Sequence, residues 1–337
     1  MNVRRLLIVG SAEETQVGHH LLAAAATLGL EASLIDTARA YEGSILKRRL
    51  LWRLAGRRPA RLRAFGQTVE ARVRDVSPDV VVATGIAPLE ASTLAALGRQ
   101  GVRRVNFLTD DPWNRAHRAP WFLEALPHYD HVWSPRYAVM HDLRRARVRR
   151  LDYLPFACEP AVHRIEHPDP QERGRFEADV LLAGGADRDR VAWIEPLVRA
   201  GFRVALHGGY WHRYGVTRRL ARGVLDARGL RLATVTARVS LGIVRRANRD
   251  GHAMRSYEVP AMGGCLLAER TSDHERLFGR DGERVFFADT PADAVSKVRW
   301  LLANPSERDR LAVAAHDLIT SGRHTYADRL STMLGAL

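Results

Sequence analysis

Short apolar runs alternate with longer stretches of helical period along most of the chain. In the first half, residues 6–9, 32–35, 80–83, 105–108 and 131–133 have the length and β-branched content of buried strands. Between them, residues 19–28, 64–76 and 89–98 repeat apolar positions at helical spacing, with Gly29 and Pro78 as stop and start signals. Strands separated by helices predict a parallel sheet covered on both faces. Residues 151–156 predict one more strand. Residues 157–173, with Pro160, Pro168 and Pro170 among charges, read as an interdomain linker.

A second alternating series follows. It runs through a strand at 179–183, the turn Gly184-Gly185, a helix at 188–200, a strand at 203–207 and Gly208-Gly209. Beyond these lie strands at 239–243, 265–268 and 285–287, and helices at 255–262, 291–302 and 306–321. The expected organisation is two Rossmann-like domains, residues 1–160 and 161–337, with the last helix free to pack back on the first.

Length and composition agree with this pattern. The 337 residues suit two domains of about 150 to 170 each. Hydrophobic residues make up 46%, enough for two cores. The basic opening Met1-Asn2-Val3-Arg4-Arg5 precedes an apolar run too short for a signal peptide, and no run approaches the ~20 apolar residues of a spanning helix. The expected location is cytoplasmic. Cys158 and Cys265 lack metal-ligand spacing and read as buried, reduced thiols.

The net charge of +14 suits an anionic partner, although nearly all of it is arginine, Lys47 and Lys297 being the only lysines. Such a bias also follows from GC-rich coding. No nucleic-acid module is visible, so no nucleic-acid partner is expected, and nucleic-acid binding stands only as an alternative prompted by the charge. The segment from Ile45 to Arg63, ILKRRLLWRLAGRRPARLR, is basic and amphipathic. It reads either as a peripheral membrane contact or as a surface helix packing Leu50, Leu51 and Leu54 inward.

Three segments carry candidate chemistry. In the first, a polar loop from Asn248 through Asp250, Gly251 and His252 leads into Arg255-Ser256-Tyr257-Glu258 and ends on Gly263-Gly264. First-turn amides lack intrahelical partners, and with the helix dipole they would cradle a pyrophosphate. Arg255 adds a cationic fork. Glu258, about 4.5 Å further along the axis, could accept from both ribose hydroxyls of a nucleotide. The alternative is an ordinary i,i+3 surface pair. The second segment, Thr109-Asp110-Asp111-Pro112, follows a strand. There Asp110 or Asp111 would serve an acceptor as binding group or general base, or one of them simply caps a turn before Pro112. The third is Gly184-Gly185 with Arg190, where a strand, a glycine turn and a helix start coincide and Arg190 could be simply a solvated helix residue. Trp211, after Gly208-Gly209-Tyr210, could border a nucleobase or belong to the core. No zinc signature, Walker A sequence or nucleophile elbow occurs.

The first segment continues through Glu269 to Phe287, and with Arg323-His324-Thr325-Tyr326-Ala327-Asp328-Arg329 it resembles the glycosyltransferase group of CgeB-like spore-maturation proteins. The likeness covers roughly residues 102–330 and is strongest from 248. It implies the α/β GT-B architecture, in which two Rossmann-like domains with parallel sheets face each other across a cleft. It also implies sugar transfer from a nucleotide diphosphate-sugar to an unidentified acceptor, without metal or other cofactor. By that resemblance Glu258 contacts the nucleotide ribose, His252 and Arg255 meet the diphosphate, the Gly184-Gly185 loop with Arg190 lies near the donor phosphates, and Asp250 stands where the first Glu of the retaining E-x7-E motif faces the donor sugar. A nucleotide-sugar epimerase or a non-catalytic relative on the same fold would share these features.

Overall fold

The computed structural model describes residues 3–337, and Met1 and Asn2 of the basic opening lie outside the described residues. The chain divides into two compact units. The first runs to Pro155 and includes Ala247–Arg249 and Tyr326–Leu337; the second comprises Phe156–Arg246 and Asp250–Thr325.

The first unit is built on β1 (Arg5–Gly10), β2 (Glu31–Asp36), β3 (Val80–Thr84), β4 (Arg103–Phe107), β5 (His131–Ser134) and β6 (Leu151–Tyr153). They form one sheet in the order β2-β1-β3-β4-β5-β6, and every pairing is parallel. Leu6, Leu7, Ile8 and Val9 are buried on the central strand, as a strand covered on both faces requires. Helix Leu62–Val76 turns Leu62, Phe65, Val69 and Val73 to that core, a helical stripe legible in its sequence. Helix Tyr326–Gly335 packs on helix Val17–Thr27. It is tied down where Arg329 Nε donates to the Pro155 carbonyl at 2.9 Å and Arg150 Nη1 to the Ala336 carbonyl at 2.6 Å.

The second unit holds β7 (Ala178–Ala183), β8 (Val204–His207), β9 (Ala237–Gly242), β10 (Leu266–Glu269) and β11 (Phe286–Ala288). Their order is β11-β10-β9-β7-β8, again all parallel. Read from its first strand, the second unit has the arrangement 2-1-3-4-5, the second doubly-wound order, and the first unit has the same arrangement with a sixth strand added at the end.

Four expectations are corrected. The stretch read as linker contains the start of helix Pro170–Phe176. Asp169 caps it, accepting from the Glu172 amide at 2.8 Å, and Glu172 returns the bond to the Asp169 amide at 3.2 Å. That capping box with proline at the first position is a start signal that the proline count obscured. The strand expected at 239–243 runs Ala237–Gly242 instead. Helix Ala227–Thr236 escaped the pattern because Gly229 and three β-branched residues weaken its propensity, and tertiary packing of Leu230, Leu232 and Ala233 overrides that. Finally, the segment from Ile45 to Arg63 is broken. Helix Ile45–Leu54 ends at Gly56 and Arg57, both left-handed with φ near 59° and 58°. Leu50 and Leu54 do not pack inward, being 58% and 78% exposed.

Candidate functional site

In a doubly wound sheet the loops leaving two adjacent strands part to opposite faces where the strand order reverses, and a crevice opens at their carboxyl ends. In the second unit this point lies between β7 and β9. Gly184 and Gly185 follow β7, and Ile243 to Arg245 follow β9. Arg255 is brought to the same place, its Nε donating to the Ala183 carbonyl at 3.1 Å.

Arg190 is the brace of this crevice. It is 8% exposed, and its guanidinium donates from Nη1 to the Gly185 carbonyl and from Nη2 to the Ile243 carbonyl, both at 3.0 Å. Two of its nitrogens thus tie the β7 loop to the β9 loop, and its burial sets aside the reading as a solvated helix residue. Trp211 is fully buried, and its Nε1 donates to the Gly184 carbonyl at 2.8 Å, so it supports the glycine turn from beneath instead of stacking on a base. The exposed aromatic there is its neighbour Tyr210, with φ 73° and the Arg213 guanidinium 4.3 Å from its ring centre. Arg245, not singled out from the sequence, is the second cation of the crevice. Its side chain is 37% exposed, and its Nε lies 3.4 Å from Asp187 Oδ2. The β9 loop is held by Glu269, which accepts from the Val244 amide at 3.1 Å and from Arg246 Nη2 at 2.7 Å. Burial pushes the Glu269 carboxyl above its ordinary range, partly offset by Arg246.

Glu258 sits on helix Arg255–Ala261 and is fully buried. One carboxylate oxygen pairs with Arg255 Nη1, and the other lies 3.5 Å from His163 Nε2. His163 Nδ1 accepts from the Glu159 amide at 2.9 Å, so in the neutral ring Nε2 carries the proton. His163 was missed because it lies in the stretch read as linker; no local pattern marks it. The i,i+3 pairing of Arg255 and Glu258 read from the sequence is present, but inside the fold and not on its surface.

The expected cradle of first-turn amides is not open. The amides of Ser256, Tyr257 and Glu258 donate to the carbonyls of Ala253, Met254 and Met254 at 3.0, 3.0 and 3.1 Å, because a preceding turn extends the helix backwards. Ser256 is buried in a closed network. Its Oγ accepts from the Ala253 amide at 3.2 Å and meets His274 Nε2 at 2.7 Å, while His274 Nδ1 reaches the Glu269 carbonyl at 2.7 Å. A carbonyl only accepts, so Nδ1 holds the proton and Ser256 donates to Nε2. Burial pushes the His274 imidazole down to about 4, which keeps it neutral. His252 is equally engaged. Its Nε2 accepts from the Phe156 amide at 3.3 Å, and its Nδ1 lies 3.5 Å from Asp273 Oδ2. Both residues are buried and hold the loop through these contacts. Asp250 stands at the end of that loop, its amide donating to the Arg245 carbonyl at 3.3 Å.

The two aspartates of the first unit separate in role. Asp111 is 2% exposed and clamped by Arg249, whose Nε and Nη2 donate to its two oxygens at 2.6 and 3.0 Å. It also accepts from the Trp113 amide at 2.9 Å, and Arg249 Nη1 reaches Asp142 at 2.6 Å. Both oxygens of Asp111 are thus taken up by Arg249, and the bond from the Trp113 amide is the turn contact expected before Pro112. It borders an open cavity of about 470 Å³ lined also by Trp113, Asn114, Asp142 and Arg249. Asp110 is half-buried at the carboxyl end of β4, near Gly85, and no hydrogen bond among the described residues ends on its carboxylate. Its charge, after burial, raises the nearby Tyr41 phenol.

Residues 188–335 match the protein family described as glycosyl transferase-like. No curated protein matches the chain in sequence. Among solved structures, sucrose-phosphate synthase from Thermosynechococcus elongatus superposes with a TM-score of 0.67 at 13% identity, over 99% of this chain and 98% of that one. The Anabaena HepE protein in complex with UDP and glucose gives 0.63 at 11% identity, over 99% and 100%. UDP-GlcNAc 2-epimerase from Neisseria meningitidis, bound to UDP-GlcNAc, gives 0.58 at 12%, over 99% and 100%. The chain therefore has the GT-B fold of two Rossmann-like units, and its residues 188–335 match the glycosyl transferase-like family.

Proposed function

We propose that the protein transfers a sugar from a nucleoside diphosphate sugar, with the donor held at the β7/β9 crevice of the second unit. The observation that carries this is the convergence of Gly184, Gly185, Arg245 and the Arg255–Glu258 pair on the point where the strand order of that sheet reverses, where doubly wound sheets bind ligands, with Arg245, Arg255 and Glu258 inside the stretch matching the glycosyl transferase-like family. Gly185 has no side chain to block approach to the backbone. Arg245 and Arg255 stand ready to neutralise charge developing on a diphosphate leaving group. Glu258, exchanging its pairing with Arg255 for two ribose hydroxyls, would fix the nucleoside. Arg190, His252 and Ser256 position these groups through the contacts above. Asp250 would face the donor sugar in a metal-independent, retaining transfer. In the first unit Asp110, whose carboxylate takes no hydrogen bond among the described residues while Arg249 clamps Asp111, is the candidate base for an acceptor hydroxyl. The motif likeness to CgeB-like proteins and the UDP or UDP-sugar named with several solved relatives support the same reading.

The test is thermal shift with UDP, GDP, dTDP and ADP. One diphosphate should raise Tm by several degrees, and Glu258→Ala, checked for native circular dichroism, should abolish the rise. No shift with any nucleotide in folded protein sinks the proposal. Epimerisation is the second reading, favoured by the structural likeness to UDP-GlcNAc 2-epimerases. It predicts that a nucleotide sugar supplied alone is converted to its epimer, which proton NMR of the incubated donor detects. Transfer predicts no epimer, and release of free nucleoside diphosphate only when acceptor is present.

A further inference from the structure

Helix Ile45–Leu54 buries none of its residues. Leu46, Leu50 and Leu54 stand one above another at intervals of four and are 78%, 58% and 78% exposed. Ile45 at 63% and Trp52 at 43% add to the apolar surface. A surface helix of a globular protein ordinarily turns one apolar stripe to the core; here the leucine stripe points away from it. The reason is the way the helix is tethered. Beyond its end, Gly56 presses on Pro120, where an added Cβ would lie 2.7 Å from Cδ. The Arg57 guanidinium then clamps three successive stretches of carbonyl, donating to Arg115, to Ala116 at 2.9 Å and to Arg118 at 3.4 Å. The helix is thus anchored through one end and leaves its apolar stripe uncovered.

Charge selects what covers it. No acidic residue occurs between Glu42 and Glu70. Arg58 and Arg61 are neutralised by Glu90 and Glu42. Lys47, Arg48, Arg49 and Arg53 are exposed and make no ion pair among the described residues. A nucleic acid would use the cations and leave the leucines in water, and a neutral protein groove would use the leucines and leave the cations without counter-charge. An anionic bilayer uses both: leucine side chains enter the acyl boundary while Arg and Lys stems extend along it to lipid phosphates.

We propose that this helix docks the protein on anionic phospholipid bilayers, lying in the interface plane with Leu46, Leu50 and Leu54 inserted. No described helix is long and apolar enough to cross a membrane, so the attachment is peripheral and reversible. The proposal stands independently of sugar transfer.

The experiment is co-sedimentation of the full chain with vesicles of phosphatidylcholine alone and of phosphatidylcholine with an equal share of phosphatidylglycerol. The wild type should pellet with the anionic vesicles, weakly with the neutral ones, and less as salt rises. Leu46→Ser/Leu50→Ser/Leu54→Ser, and separately Arg48→Gln/Arg49→Gln/Arg53→Gln, should each lower partitioning by roughly ten-fold or more. Their circular dichroism and nucleotide-induced thermal shift should stay unchanged, which separates this result from failure of the donor site. Three outcomes overturn the proposal: no pelleting with anionic vesicles, equal pelleting of the leucine variant, or a wild-type dimer that the leucine variant converts to monomer by light scattering, since a second copy would then cover the stripe.

Discussion

Asp110 and Asp111 are adjacent, chemically identical and both at the end of a strand, yet the fold gives them opposite fates. Arg249, 138 residues away in sequence, takes both oxygens of Asp111 and leaves Asp110 uncommitted. The tripeptide was legible as chemistry; the choice within it depends on a long-range ion pair that no local spacing reveals. Arg249→Ala should therefore destabilise the first unit by roughly 2 kcal/mol, the cost of leaving a buried carboxylate with one amide donor. Urea unfolding measures this, and Asp111→Asn in the same background should recover part of the loss. A variant as stable as wild type would show that Asp111 is solvated and not clamped. Arg190 and Trp211 teach the same lesson. Their residue types suggest ligand contact, and their surroundings make them braces.

Among elements, strands and most helices were readable because a covered parallel sheet imposes short apolar runs and its helices impose a 3.6-residue period. Two helices escaped for different reasons: Ala227–Thr236 is stabilised by packing despite Gly229, and the local capping box of Pro170–Phe176 is obscured by the surrounding prolines. The loops after β7 and β8 interlock in a way only coordinates reveal. Gly208 has φ 125°, and a Cβ there would lie 2.4 Å from the Gly184 carbonyl oxygen, a backbone atom that cannot yield without moving the Gly184-Gly185 turn. Gly208→Ala should cost about 2 kcal/mol or more and weaken the nucleotide-induced shift, whereas Gly209→Ala, with open space at its Cβ, should leave both nearly intact. Equal behaviour of the two variants would refute the interlock.

For the molecule as a whole, two buried histidines of the second unit, His207 and His274, are pushed down to about 4 by burial. Their folded values lie below the ordinary one near 6.5. Between those limits the unfolded chain binds protons that the native state refuses, so stability falls as pH falls through that window and is unaffected above it. The loss for His274 is on the order of 3 kcal/mol once pH is below about 4. Thermal unfolding against pH should be flat above neutrality and decline from about pH 6.5 downward. His274→Gln should be less stable at neutral pH but decline less; an equal decline would remove His274 as the cause.

By itself the sequence determined that this chain makes two parallel α/β units, because periodicity and burial are local consequences of residue order. It also determined that Arg255 and Glu258 share a helix face, since spacing dictates that. Tertiary structure alone decided the strand order that opens a crevice between β7 and β9, and the arrival there of Arg245. It decided too the placement of His163 beside Glu258, the commitment of His252 and Ser256 to internal bonds, and the exposure of the Ile45–Leu54 leucines. These depend on contacts between residues far apart in the chain, and such contacts leave no mark on the local pattern.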